Sequence, residues 1–186
     1  MMWRNSKSGY GLVQIGLHWT TALLVAILLP LGLWMTGLDY YDPWYRKGPD
    51  LHRSIGVLLG LVMLVRITWR LSNPQPQPLS SSAWERRLAK AAHRLLYLLP
   101  LLLVISGYLI STADGRPVDV FGWFELPATL QGIEGQEDIA GDVHFALAMI
   151  LLTLIGLHLL AALRHHYVFK DDTLRRMLRT TTSTTE

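Results

Sequence analysis

The sequence predicts an all-α integral membrane four-helix bundle with both termini on the cytoplasmic side. Three observations carry this. The 186-residue chain is 51% hydrophobic and only 17% charged, where a soluble domain carries nearer a quarter charged residues. Long stretches lack Asp, Glu, Lys and Arg altogether. The basic residues gather beside those stretches and mostly in alternate connections. The length suits one compact bundle and leaves no room for a second sizeable domain.

Four spans can be placed in order, at about 14–38, 52–71, 93–113 and 143–164. Residues Ser8 to Leu38, Leu95 to Ala113 and Val143 to Leu163 contain no formal charge, and each is near the roughly 20 residues that cross a bilayer. The first has its apolar core over Leu17–Leu38 and does not read as a signal peptide, being too long and without an A-x-A site. The second span is weaker. Arg53 and Arg66 bracket a stretch of only about 18 Å of helix, so the span must run on through Trp69 to about Leu71. That takes Arg66 to the membrane edge, where it snorkels to the headgroups or meets an acidic cofactor group.

The connections differ in character. Asn73-Pro74-Gln75-Pro76-Gln77-Pro78 is an extended, proline-rich stretch. Ser82-Ala83-Trp84-Glu85 reads as a capping box that starts the third helix well before the membrane, and Pro100 predicts a kink in that helix. The 114–142 connection holds seven carboxylates against Arg116 alone. Within it Phe121, Trp123 and Phe124 suit a short interfacial lid. Residues 179–186 read as a disordered polar tail.

Orientation follows from the basic residues. Arg4 and Lys7, the six from Arg66 to Arg94, and the five from Arg164 to Arg179 total thirteen, against Arg46, Lys47, Arg53 and Arg116 in the other two loops. This asymmetry places both termini in the cytoplasm. The same clustering explains the net charge of +3 without a nucleic-acid partner. The chain has no cysteine, which excludes disulfides, thiolate-bound iron–sulfur clusters and covalent C-x-x-C-H haem attachment.

Ionisable side chains inside a bilayer are costly and are functional candidates by default. His144 and His158 lie on one apolar helix, fourteen residues apart. That is roughly 21 Å of rise with the two side chains within roughly 40° of one another. His18 opens the first span at the depth of His158, and His52 opens the second at the depth of His144. Two axial imidazoles saturate a haem iron and give a low-spin electron-transfer centre. The expected pairs are His18/His158 and His52/His144, holding two haems roughly 20 Å apart across the bilayer. Gly56 and Gly156 lie close enough to make room for the macrocycles. A single interfacial histidine is more often a hydrogen-bonding residue than a ligand; four at matched depths favour ligation. His93 lies on the third helix at the cytoplasmic side. It competes with His18 or His158, or borders a quinone or a propionate. Arg66 and Arg70 are explained by membrane orientation or by propionate pairing, and Arg53 is a candidate contact of the outer propionates. His165 and His166 lie beyond the apolar span and read as solvated or propionate-facing.

The chain resembles the bacterial cytochrome b561 family of di-haem four-helix membrane cytochromes over residues 10–178. The resemblance rests on Ile15-Gly16-Leu17-His18-Trp19, Leu51-His52-Arg53-Ser54-Ile55-Gly56, Ala92-His93-Arg94-Leu95-Leu96-Tyr97, Val143-His144 and Gly156-Leu157-His158. The last runs on into His165-His166-Tyr167 and Lys170-Asp171-Asp172-Thr173-Leu174. It implies haem b iron on the matching histidines of helices one, two and four, a multi-pass protein of the cell inner membrane, and a place in a respiratory chain. It further implies electron transfer between a donor and the quinone pool, with ubiquinone as substrate and superoxide or a redox protein as donor. The activity implied by some members is superoxide:ubiquinone oxidoreductase. The alternative is a cytochrome b relay subunit of a hydrogenase or other dehydrogenase. A haem-free membrane protein such as a transporter has little support, since no internal repeat or broken helix is legible.

Overall fold

A computed structural model describes residues 2–80 and 82–180. Four long helices dominate it: α1 (Leu12–Met35), α2 (Lys47–Ser72), α3 (Ala83–Ser111) and α4 (Gln136–Arg164). All four are long and apolar enough to cross a membrane. Each leaves large apolar side chains uncovered, among them Leu23, Leu64, Ile105 and Leu160 at 61%, 58%, 55% and 65% exposure. Such surfaces would associate in water and are at rest in lipid.

The helix starts differ from the expected spans for local reasons. α2 begins at Lys47 because Pro49 sits in its first turn, where no intrahelical N–H bond is lost, and Asp50 complements the helix dipole there. α4 begins at Gln136, directly after Gly135 at φ 70°, and carries Glu137 and Asp138 in its first turn. The acidic run before the fourth span is therefore helix, not loop. α3 starts at Ala83. Glu85 N donates to Ser82 Oγ at 3.4 Å, but the Glu85 carboxylate accepts from Ser80 Oγ at 2.6 Å. Only half of the expected capping box forms. α4 continues into a π-helical turn, His165–Phe169, closed by Lys170 at φ 54°.

The structure divides into two compact units, and every long helix contributes a segment to both. The first comprises residues 2–21, 62–80, 82–97 and 153–180. Met63 is fully enclosed in it, with Gln14 and Thr21 buried. Its polar end is stitched by three strands of irregular chain. Asn5 Nδ2 donates to Pro74 O at 3.0 Å, Gln77 N to Lys7 O at 3.0 Å, and Arg176 Nη1 to Gln77 O at 2.9 Å. The proline-rich stretch from Pro74 to Pro78 thus has neither helix nor strand and is held on both sides. Trp19 Nε1 ties the tail to α1 through Met177 O at 2.7 Å. The expected disordered tail lies, over residues 181–186, outside the described residues.

The second unit comprises residues 22–61 and 98–152. Leu24, Val25, Leu28, Leu59, Leu99, Leu103 and Leu151 form its core. A Cβ on Gly60 would lie 3.1 Å from Val104 Cγ1, so glycine permits the close approach of α2 to α3. The connection before α4 holds a feature with no counterpart in the sequence reading. An antiparallel pair, β1 (Val118–Val120) and β2 (Phe124–Leu126), joins through a turn with Phe121 at φ 54° and Gly122 at φ 72°. Two successive positive φ values are what a tight hairpin turn requires. Val118 and Val120 are buried, and Phe121 N donates to Ser54 Oγ on α2 at 3.1 Å.

Candidate haem sites

In the second unit, His52 and His144 face each other with ring centres 6.2 Å apart and planes at 72°. His52 stands five residues into α2 and His144 eight into α4, inside their helices rather than opening them. Bare backbone makes room for both rings. A Cβ on Gly32 of α1 would stand 3.0 Å from His52 Cε1, and one on Gly107 of α3 would stand 3.3 Å from His144 Cε1. His144 Nδ1 lies 2.9 Å from Ser106 Oγ. His52 Nδ1 is buried with no hydrogen-bond partner among the described residues.

The first unit gathers three imidazoles. His18 and His158 have ring centres 6.5 Å apart at 60°; His93 and His158 are closer, at 5.5 Å. Arg66 Nη2 contacts His18 Nδ1 at 3.0 Å, while its Nε is buried without a partner among the described residues. The guanidiniums of Arg66 and Arg70, one turn apart on α2, lie 4.7 and 5.0 Å from the Tyr97 ring centre. Tyr97 follows His93 by one turn of α3, so both project from one face. Trp19 packs edge-on against His18.

The remaining candidates go elsewhere. Arg53 pairs with Asp50 on its own helix, and both are exposed. Arg46 and Lys47 line a surface cavity with Tyr40, Asp42, Pro43 and Tyr45. His165 Nδ1 meets Asp171 Oδ2 at 2.5 Å, and His166 packs against Tyr167. Partial burial pushes the Asp171 carboxyl up, but hydrogen bonds from Thr173 and His165 outweigh it and hold the group below its usual range.

Whether these sites suit a haem is a question of spacing and room. An imidazole nitrogen binds a metal at about 2 Å, and with about 1.1 Å from that nitrogen to the ring centre, two trans imidazoles stand roughly 6.3 Å centre to centre. The 6.2 and 6.5 Å pairs match this; the 5.5 Å His93–His158 pair is too close. Among the described residues no group of three or more His, Cys, Asp or Glu side chains is set to hold a bare metal ion. A pair of imidazoles suits a metal that brings its own equatorial ligands. A Cβ on Gly56 or Gly156 would meet nothing within 4 Å, so the space beside each of these glycines is open. One contact must change. A guanidinium only donates, so beside Arg66 the His18 Nδ1 carries a lone pair. Iron on Nε2 leaves the proton on Nδ1, and Arg66 must then turn to another acceptor.

Sequence reasoning missed Gly32, Ser106 and Gly107. The available signal was a serine–glycine pair inside an otherwise apolar span, since small and polar residues in membrane helices concentrate at packed interfaces.

The prokaryotic cytochrome b561 family matches the chain over residues 9–180. Among curated proteins, the chain is 49% identical to cytochrome b561 homolog 2 of Escherichia coli (strain K12) over 179 residues, covering 96% of this chain and 95% of the relative. It is 36% identical to "Probable superoxide oxidase CybB" of Yersinia pestis, covering 91% and 95%. With cytochrome b561 homolog 1 of Escherichia coli (strain K12) it shares 32% identity over 89% and 94%. Four membrane-length helices and this kinship define a multi-pass membrane cytochrome of electron transport. The chain belongs to the prokaryotic cytochrome b561 family, whose cofactor is b-type haem.

Proposed function

We propose that the chain holds two b haems and passes electrons between a donor and the quinone pool of the inner membrane, with ubiquinone as acceptor and superoxide as donor. In this reading both termini are cytoplasmic. His52/His144 hold the outer haem and His18/His158 the cytoplasmic one. The observation that carries it is the pair of facing imidazoles in each unit, at 6.2 and 6.5 Å. The 36% identity to a protein named as a superoxide oxidase supports the choice of donor.

Each haem, when bound, supplies a one-electron iron couple. The protein does the rest. The imidazole pairs His52/His144 and His18/His158 would hold the two haems and leave no open site for oxygen on either. Gly32 and Gly107 let the ligand rings lie against α1 and α3. The Leu and Val core of the second unit keeps water out and the dielectric low. In the first unit, Arg66, now on His18 Nδ1, would turn its charge to a propionate once haem is held there. His93, too close to His158 to share an iron with it, is left to hydrogen-bond a quinone oxygen, with Arg70 supplying charge nearby. Arg53, already paired with Asp50, is a weaker propionate contact than Arg66. Arg46 and Lys47 form the local basic mouth for an anionic donor, against an acidic 114–142 connection. That acidity favours a second reading, in which a basic redox protein is the donor.

The ligand reading is tested by haem content. His158→Ala and His144→Ala should each lower haem per chain from two to one, removing different spectral components; two full low-spin haems in either variant would exclude that histidine. Stopped-flow mixing tests the reaction. Superoxide should reduce the oxidised protein and ubiquinone should oxidise the reduced protein. Quinone reaction without superoxide reaction leaves a cytochrome with a protein donor, and no quinone reaction sinks both forms.

A further inference from the structure

Three of the four proposed ligands differ in what stands behind them. His18 Nδ1 faces a donor-only guanidinium, and His52 Nδ1 is buried without a partner among the described residues. His144 Nδ1 faces the hydroxyl of Ser106, a buried residue of α3, at 2.9 Å. That hydroxyl has one proton and two nearby carbonyls of its own helix, Leu102 O at 2.9 Å and Leu103 O at 3.2 Å. Back-bonding to the carbonyl four residues earlier is the ordinary use of a serine proton inside a helix. The proton so committed, Ser106 Oγ has only lone pairs to offer, and the Nδ1 proton of His144 is the donor that fits; the Leu103 carbonyl, a second acceptor beside this ring, calls for the same protonated form. This fixes the imidazole as the Nδ1–H tautomer and leaves the Nε2 lone pair for a metal. The next residue completes the seat, because Gly107 has no Cβ to collide with the ring.

We infer that Ser106 is the positioning residue of the His52/His144 centre: by accepting the Nδ1 proton of His144 it fixes that ring and lowers the midpoint potential of the iron it serves. The inference rests on the proposed ligand role of His144. An imidazole that donates from Nδ1 is a more basic ligand, and a more basic ligand favours the ferric form. A donor already bonded to a carbonyl is polarised and accepts more strongly. Ser106 touches neither iron nor substrate and acts only through His144.

The test is a potentiometric titration of the purified haem-loaded protein, with both centres followed by visible and low-temperature EPR spectra. Ser106→Ala should keep two haems. It should raise one midpoint by about 59 mV, a tenfold change in the reduced-to-oxidised ratio of a one-electron couple, taking the low end of the effect of outer-shell partners on metal sites. The other midpoint should not move. Ser106→Thr, which keeps a back-bonded hydroxyl, should restore the original value. Unmoved midpoints in Ser106→Ala, movement of both centres, or an equal rise in Ser106→Thr overturns the inference. If Ser106→Ala instead sheds one haem, retention by Ser106→Thr supports it and loss by both overturns it. His144→Ala separates the two layers. If it loses one haem while Ser106→Ala shifts nothing, only the role of Ser106 fails. If it keeps both haems, the ligand reading itself fails.

Discussion

A single missing methyl group shapes the site around His52. Gly32 lies on α1, and any Cβ there would be 3.0 Å from the imidazole, tight enough that the ring must give by a few tenths of an ångström. Overpacking of this kind costs about 1–3 kcal/mol, and here the displaced group is a proposed ligand. Gly32→Ala should therefore drop haem content from two toward one and leave the His18/His158 component in the spectrum. Gly37→Ala, whose Cβ meets only Trp34 O at 3.7 Å, is the control and should keep both. Equal haem content in the two variants would show that His52 tolerates the added carbon. The residue scale also separates histidines that look alike in sequence. His93 and His18 both lie about 6 Å from His158, but only the wider pair leaves room for a metal between the rings.

At the scale of elements, the end of α4 is where local chemistry governs. The π-helical turn at His165–Phe169 brings His165 back toward Asp171, whose Oδ1 accepts Thr173 N at 2.9 Å. The carboxyl is held below its usual range in the folded protein. A depressed acid stabilises the fold above its unfolded pKa, and loses that contribution as pH falls through the folded value. The tail tether should therefore be intact at neutral pH and fail only under acid conditions. Asp171→Ala should imitate the acid state at pH 7, raising hydrogen exchange at the Thr173 amide about fivefold, as expected for a bond worth ~1 kcal/mol. Unchanged exchange would mean that Trp19 and Gln77 hold the tail alone. The hairpin β1–β2 shows the same principle at the other unit. Its pairing depends on Ser54 and on a left-handed Phe121, a conformation rare for a bulky residue.

For the whole molecule, the prediction is orientation. Thirteen basic residues against four place residues 39–51 and 114–142 outside. Reporter fusions after residue 45 and after residue 130 should both report the external face. Cytoplasmic signals from both would reverse which histidine pair serves which membrane side, though not which histidines face each other.

The sequence alone determined the number of helices, their membrane character and the family, because these depend on apolar run length and on motifs local in the chain. It also pointed to the imidazoles, since a histidine in an apolar span is conspicuous and helical rise sets its depth. Helix starts were less legible: Pro49, Glu137 and Asp138 look like loop residues, yet a first helical turn accepts proline and attracts carboxylates. What only tertiary structure decided is what stands beside each ring. Arg66 reaches His18 across 48 residues, Ser106 reaches His144 across 38, and Gly32 lies against His52 across helices. No periodicity encodes such contacts, because they depend on which faces of separate helices meet. They are also what distinguishes four equivalent imidazoles from four different ones.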